Sequence, residues 1–419
     1  MLVKFARSCA IVGMLFVVCA LPLYPQSGAF GLYEVSAPGA GEAYAGQSAV
    51  SNDASTAYLN PAGMTRLRGR HIVLGGQYLD LSMEFHPGVG TSGGNAGGRN
   101  IVPAAYFVGS PTNRLRLGMS LNQPFGTALH YSDDWAGRYF IRDIQLVALD
   151  LRPSVAFRIN RSLSIGGGPV IQRVALSKTL AIPNLDPGYG RDGKLDVSLH
   201  DWGLGLHAGL LFEPGTRTRV GVTYRSETNF ELRGKSSLTD VGPSMAAALA
   251  GSLSGANPLH LPQGGNISVY QVLTPALALL ADAGWSNWRH FGEKVATQPD
   301  GTSVSADANW RDTWRAAVGI RFRVSPKLSL QTGASYESSP VSDWNRTPDI
   351  PVGRQRRIAA GVQYVLARSL SLGASFSYLD LGAPKISHLS NPVAGTLEGR
   401  YGPARLPVVA LTLIMTSVE

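Results

Sequence analysis

From Arg70 onward apolar and polar residues alternate, run after run, as in strands that have one apolar and one polar face. The clearest run sets Trp202, Leu204, Leu206, Ala208, Leu210 and Phe212 against Asp201, Gly203, Gly205, His207 and Gly209. Val220, Val222 and Tyr224 likewise alternate with Arg219, Gly221, Thr223 and Arg225. Trp314, Ala316, Val318, Ile320 and Phe322 alternate with Arg311, Thr313, Arg315, Gly319, Arg321 and Arg323. Runs from Leu328 to Tyr336 and from Leu370 to Tyr378 repeat the pattern.

Alternation fits a soluble sandwich as well as a membrane barrel, and the connections separate the two. Tight turns near Thr112–Asn113, Asn160–Arg161, Pro214–Thr216, Thr274, Ser325–Pro326 and Ala367–Arg368 take turns with long polar loops. Those loops are Ser82–Asn100, Gln123–Asp143, Ser177–Lys194, Arg233–Pro262, Phe291–Asn309, Ser339–Val352 and Gly382–Tyr401. Strict short-long alternation is what an even-numbered up-and-down barrel requires, and the runs number about fourteen. The expected fold class is all-β, a transmembrane antiparallel β-barrel. Pro169 interrupts the run Ser162–Leu176 and predicts a bulge that leaves the facing of Arg173 open.

The first residues point to export. Lys4 and Arg7 precede an apolar stretch from Cys9 to Leu23 that ends in Gln26-Ser-Gly-Ala29, the pattern of a secretory signal peptide cleaved between Ser27 and Phe30. Both cysteines, Cys9 and Cys19, lie in this leader, so the mature chain offers no disulfide and no cysteine metal site. No later window is apolar for long enough to make a membrane helix. With 44% hydrophobic and 16% charged residues and 49 glycines, the composition suits a barrel whose apolar face meets lipid. The net charge of +9 comes from arginines spread along the chain without interleaved stacking aromatics, which argues against nucleic acid. A lumen or mouth that attracts anions, or contact with acidic lipid headgroups, accounts for the sign.

Phe30–Leu67 does not alternate and is rich in glycine, alanine and serine. It is too apolar for a free tail and too irregular for a strand, and a compact insert inside the lumen meets both conditions. The expected organisation is a signal peptide over Met1–Gly28, an N-terminal hatch, or plug, over Ala29–Gly69 and a barrel over Arg70–Glu419.

The segment from Phe30 to Met64, with its Asn60-Pro61-Ala62 tripeptide, resembles the hatch of the FadL-type outer-membrane transporter family. Trp202-Gly-Leu-Gly-Leu-His-Ala-Gly209, Val222-Thr-Tyr-Arg-Ser-Glu227, Trp310–Gly319 and Ser338–Arg346 agree with it in the family's order. The resemblance implies a monomeric, multi-pass barrel in the outer membrane of a Gram-negative bacterium, surrounded by outer-membrane lipid and lipopolysaccharide and working without a cofactor. Its implied cargo is a long-chain fatty acid or another hydrophobic small molecule. The implied route begins at an external groove, enters a lumenal pocket and leaves through a gap in the wall when the hatch shifts.

On that reading Arg311, with inward parity and at the family's basic ligand-binding position, is the candidate for the carboxylate, and Arg173 is a second. The competing role for a lumenal arginine is structural, pairing with Asp312, Glu337 or hatch carbonyls. Burying about ten methylenes at roughly 0.8 kcal/mol each holds a ligand at micromolar affinity, so release calls for a moving part. Displacement of the Phe30 end of the hatch is the candidate motion, with Asn60 and Pro61 fixing its turn, and a static plug is the alternative. Gly126 matches a family glycine at an inward kink that opens the wall; an ordinary strand end explains Gln123-Pro-Phe-Gly126 equally well. Met245, Leu249 and Leu253 are expected on a short loop helix at the external groove, or on one that merely closes the mouth.

Enzyme motifs have no suitable setting: there is no H-E-x-x-H, and G-x-S-x-G (Gly90–Gly94) and G-x-G-x-x-G (Gly88–Gly93) match only within one glycine-rich loop. His207 has lumenal parity but no evident catalytic partner. Two other functions stay open, uptake of neutral or aromatic hydrocarbons and a surface-binding barrel (adhesin or phage receptor) acting through loops such as Tyr131–Tyr139.

Overall fold

A computed structural model describes residues 37–250, 257–297, 303–391 and 395–417; the expected leader and Phe30 lie outside this range. The wall consists of β1 (Arg70–Asp80), β2 (Arg99–Gly109), β3 (Leu115–His130), β4 (Asp143–Arg158), β5 (Leu163–Ile182) and β6 (Gly193–Phe212). It continues through β7 (Thr218–Arg225, resuming at Thr228–Thr239), β8 (Asn257–Leu261, resuming at Gly264–Thr274), β9 (Leu277–Ser286) and β10 (Thr313–Arg323). The ring is completed by β11 (Leu328–Glu337), β12 (Gln355–Ala367), β13 (Leu370–Gly382) and β14 (Ala404–Ser417). β7 breaks at Ser226–Glu227, opposite the break in β8 at Pro262–Gln263, where proline withholds a ladder donor. Counting each broken strand once, the wall is a closed antiparallel barrel of 14 strands. β1 pairs with β14 from Arg70↔Ser417 to Leu79↔Val408.

The tight turns fall where the alternation places them. Several strands run past the expected loop starts: β3 reaches His130, β5 Ile182 and β7 Thr239, so the loops are shorter than the sequence suggests. Apolar parity faces outward. Trp202 is 62% exposed, Leu204 71% and Leu411 63%, while Gln172, Arg315 and Gln331 face in and are buried. A soluble sandwich buries its apolar face; this wall shows it to the surroundings, as a lipid-facing surface does.

The lumen is filled by residues 37–67, which form α1 (Ala37–Gly41), α2 (Thr56–Leu59) and a 3-10 turn (Pro61–Arg66). Inward glycines make the room. A methyl group at Gly221 would overlap the Ser48 carbonyl, one at Gly209 the Asn60 amide, and one at Gly333 the Glu42 carbonyl.

At the long-loop end Tyr131 stacks on Trp135 at 4.0 Å and Phe85 packs on Tyr401 at 4.9 Å. The Tyr131 and Tyr401 hydroxyls lie 2.7 Å apart, and Tyr131 donates to the Pro348 carbonyl at 2.8 Å. Burial pushes both hydroxyls above the usual tyrosine range, so they stay protonated. Tyr131 and Trp135 are thus spent inside a cap and do not form a docking surface. At the short-turn end Arg68, Arg70, Arg114, Arg161, Arg217, Arg323, Lys327 and Arg368 are exposed. Among the described residues, the acid at that end, Glu213, is ion-paired with Arg66.

Gly221→Val is expected to push the hatch off the wall, lowering the thermal unfolding transition of the detergent-solubilised barrel and raising its ion conductance in planar bilayers. Gly76→Val, at a site with nothing within 4 Å, should change neither.

Candidate functional site

The hatch and the course of β3 shape the interior. β3 pairs with β2 only from Ala105↔Leu121 to Gly109↔Leu117, whereas β2 stays paired with β1 up to Asp80↔Arg99. Beyond Leu121, β3 leaves its neighbour: the register with β4 shifts between Asn122 and Phe125, and every residue from Asn122 to Leu129 is buried. The upper half of β3 is therefore bent into the lumen, and a seam without a ladder separates it from β2. Gly126 lies in the bent half, immediately after the register shift. The sequence places Gln123–His130 in a loop; it is a strand, and its alternation is lost because both of its faces are covered.

The hatch tripeptide sits at the bottom of the interior space. Asn60 caps the 3-10 turn that Pro61 begins: its Oδ1 accepts from the Ala62 amide at 3.1 Å. Its Nδ2 donates to the carbonyls of Ser48 at 2.6 Å and Leu210 at 3.0 Å, tying two parts of the hatch and the wall through one side chain. Pro61 supplies the φ of the first turn without wasting a donor.

Above the tripeptide, a cavity of about 160 Å³ lies between hatch and wall. Tyr58, Leu59 and Pro61 form its floor, Pro124 and Phe125 of the bent strand one side, and Trp285 and Trp288 another. Gly264, Gly265 and Gly284 present bare backbone to it, beside the side chains of Asn266, Ser286, Thr313 and Glu337. Phe125 meets Trp288 edge-on at 5.9 Å, and Trp288, Phe291 and Trp310 continue the aromatic surface toward the mouth.

Three arginines reach this cavity. Arg152 is ion-paired with buried Asp150 and lies 3.9 Å over the Tyr58 ring. Arg315 pairs with Asp282 at 2.5 Å and donates to the Ala43 carbonyl at 2.6 Å. Arg225 donates to the Pro262 carbonyl at 2.9 Å, with its guanidinium 4.8 Å from the Phe125 ring centre. Arg152 and Arg315 each pair with a carboxylate on the inner face of the wall, and Arg225 reaches the cavity beside Phe125. His207 also lines the cavity, with Ser154 Oγ 3.1 Å from its Nε2. Its Nδ1 has no partner, so no carboxylate orients the imidazole and the pair lacks the third member of a nucleophilic relay.

Two expected ligand residues lie elsewhere. Arg173 points outward: the alternation of β5 runs unbroken through Pro169, leaving Gln172 and Val174 inside and Arg173 on the outer wall, 5.8 Å from Trp202. The anticipated bulge does not form: the ladder between β4 and β5 is interrupted between Leu151↔Ile171 and Val155↔Gly167 and resumes in the same register. Arg311 precedes β10, is exposed, and lines a shallow recess at the mouth with Arg289, Asn309, Trp310 and Asn345. The parity that marks Arg311 as lumenal belongs to Arg315, which lies deeper in the same strand. On the loop helix, Pro243–Ala250, Met245 is buried and Leu249 half-buried; Leu253 lies outside the described residues.

Sequence reasoning passed over Arg152, Asp150, Tyr58 and Trp288. The first two carry a readable signal, a charged pair at alternate positions in an otherwise apolar strand. Tyr58 and Trp288 carry none, since each enters the site through packing of distant segments.

The family model for outer membrane protein transport proteins (OMPP1/FadL/TodX) matches residues 18–402. A long-chain fatty acid transport protein of Escherichia coli O6:H1 is 28% identical over 387 residues, covering 84% of this chain and 87% of that protein. A 47 kDa outer membrane protein of Pasteurella multocida is 29% identical over 377 residues, covering 84% and 87%. Among solved structures, a Pseudomonas aeruginosa FadL homologue superposes with a TM-score of 0.85 at 23% identity, covering 92% of this chain and 99% of its own. The Ralstonia pickettii toluene transporter TbuX superposes at 0.66 with 17% identity, covering 91% and 99%. With a plugged barrel of the same fold and a family match over nearly its whole length, the chain belongs to the OMPP1/FadL/TodX family and is a passive, non-catalytic outer-membrane channel for a hydrophobic small molecule.

Proposed function

We propose that the molecule carried is a long-chain fatty acid or a similar amphiphile, taken up by a single barrel acting as a monomer among outer-membrane lipid and lipopolysaccharide. The observation that carries this reading is the position of the cavity, which touches the hatch on one side and the bent half of β3 on the other. A ligand there is in contact with both parts whose movement would release it. Capture begins at the mouth, where Arg311 offers a cation beside Trp310. In the cavity, the carboxylate lies against Arg225 and the tail among Tyr58, Phe125 and Trp288. A shift of the hatch breaks the floor at Asn60-Pro61-Ala62, and the ligand leaves through the seam between β2 and β3 beside Gly126.

The aromatic surface formed by Phe125, Trp288, Phe291 and Trp310 favours a second reading, an aromatic hydrocarbon as cargo. Arg225 divides the two. Arg225→Met is expected to weaken binding of hexadecanoic acid about tenfold and leave hexadecanol unchanged, measured by displacement of a fluorescent lipid from the purified barrel. Equal affinity of the variant and the parent for the acid would favour the aromatic reading.

Asn60→Ala removes the donor shared by the Ser48 and Leu210 carbonyls. It is expected to speed ligand dissociation in stopped-flow measurements by about tenfold, on the scale of one lost buried hydrogen bond. An unchanged off-rate would mean a static plug.

A further inference from the structure

The seam between β2 and β3 has a chemistry of its own. Thirteen buried side-chain polar atoms in the described residues have no hydrogen-bond partner; four of them border this one seam and two more, on Gln77 and Ser120, lie next to it. These six are Gln77 Oε1 on β1, Asn100 Nδ2 on β2, and Ser120 Oγ, Asn122 Oδ1, Gln123 Nε2 and Thr127 Oγ1 on β3. Each of these residues is at most 6% exposed.

The register ties them together. Gln77 is opposite Val102, two residues from Asn100. Ser120 is opposite Tyr106, whose hydroxyl also accepts from the Asn122 amide, and Gln77 donates to the Tyr44 hydroxyl of the hatch at 3.2 Å. Gln123 and Thr127 follow on the bent half of β3, so the polar atoms begin at the hatch and rise along the unpaired stretch.

A buried polar atom without a partner costs about 1–3 kcal/mol, and native proteins carry few of them. Four along one gap in the wall and two next to it do not make a dry apolar slot. They also include no full charge: amide N–H groups and hydroxyls donate, and amide and hydroxyl oxygens accept. Such a lining stabilises a small polar head in transit without holding it as an arginine would, while the attached hydrocarbon points to the lipid outside.

We propose that this strip is a head-group track that makes the seam selective for hydrophobic molecules ending in a carboxylate or hydroxyl over bare hydrocarbons of equal length. The proposal rests on the reading of the seam as the exit. Asn100 and Gln123, amide donors on opposite sides of the seam, are the specificity-determining residues, with Thr127 as the hydroxyl beside them.

The test uses the full-length protein as the sole added channel in the outer membrane of intact cells, with radiolabelled hexadecanoic acid, hexadecanol and hexadecane as probes. The variant Asn100→Leu/Gln123→Leu/Thr127→Val is expected to slow the acid and the alcohol about tenfold and to leave hexadecane as fast or faster. The alcohol separates this effect from that of Arg225, which acts on the acid alone. The near-isosteric Thr127→Val, which keeps the packing, should shift the alcohol-to-alkane ratio in the same direction by about threefold, so that failure of the triple variant to fold leaves the idea exposed. Equal changes for all three probes, or no change for any, would overturn the track. A disulfide between Val102→Cys and Pro124→Cys tests the exit itself: oxidation is expected to stop all three probes. Transport that survives the cross-link would bring down both the exit and the track, whereas a blocked cross-link with an unselective triple variant would bring down the track alone.

Discussion

An irregular segment inside a membrane-spanning ring must have its backbone polar groups satisfied by itself or by the ring, because lipid satisfies none. Here the hatch bonds much of its own backbone, and the ring's share falls largely to arginine. The carbonyls of Leu67, Thr65, Val50 and Ala43 accept from Arg116, Arg158, Arg219 and Arg315, respectively. Arg321 instead meets the Glu42 carboxylate at 2.6 Å. A guanidinium is suited to this because its planar fork bonds two acceptors while its stem stays against the wall; Arg315 serves a carboxylate and a carbonyl at once. Much of the positive charge that looks, in composition, like an attraction for outside anions is therefore consumed inside the protein.

The same constraint shapes the ligand site. Where the hatch is closest to the wall, glycines and arginines fill the interface and leave no room. The cavity opens only where the bent half of β3 and the bare glycine backbone of β8 and β9 hold the wall away from the hatch. Site, plug and wall defect are one arrangement.

Much of this was legible in the chain. Period-two alternation gave the outward residues correctly from Trp202 to Phe212, and the tight turns fixed the strand order, because both are local properties of a pleated strand. The hatch was legible as a failure of alternation. The misplaced features depend on pairing between distant segments. Arg173 could not be faced from sequence because a proline can be absorbed without a change of parity. Gln123–His130 read as loop because a strand covered on both faces looks irregular. The breaks in β7 and β8 were likewise invisible, and Arg311 and Arg315 share a parity while differing in depth, which alternation does not encode. The general lesson is that a strand's pattern reports which face is wet or greasy and is silent on whether a neighbour is bonded to it.

The pairing of β1 with β14 joins positions near the two ends of the sequence. Arg70 pairs with Ser417 across the whole run of intervening strands, and topologies with contacts of such long range assemble slowly. The hatch is tethered directly ahead of β1, so the strand that closes the ring is also the one that carries the plug. Forming this one ladder removes the sheet's free edges, and a ring lacking β14 would present two unpaired edges.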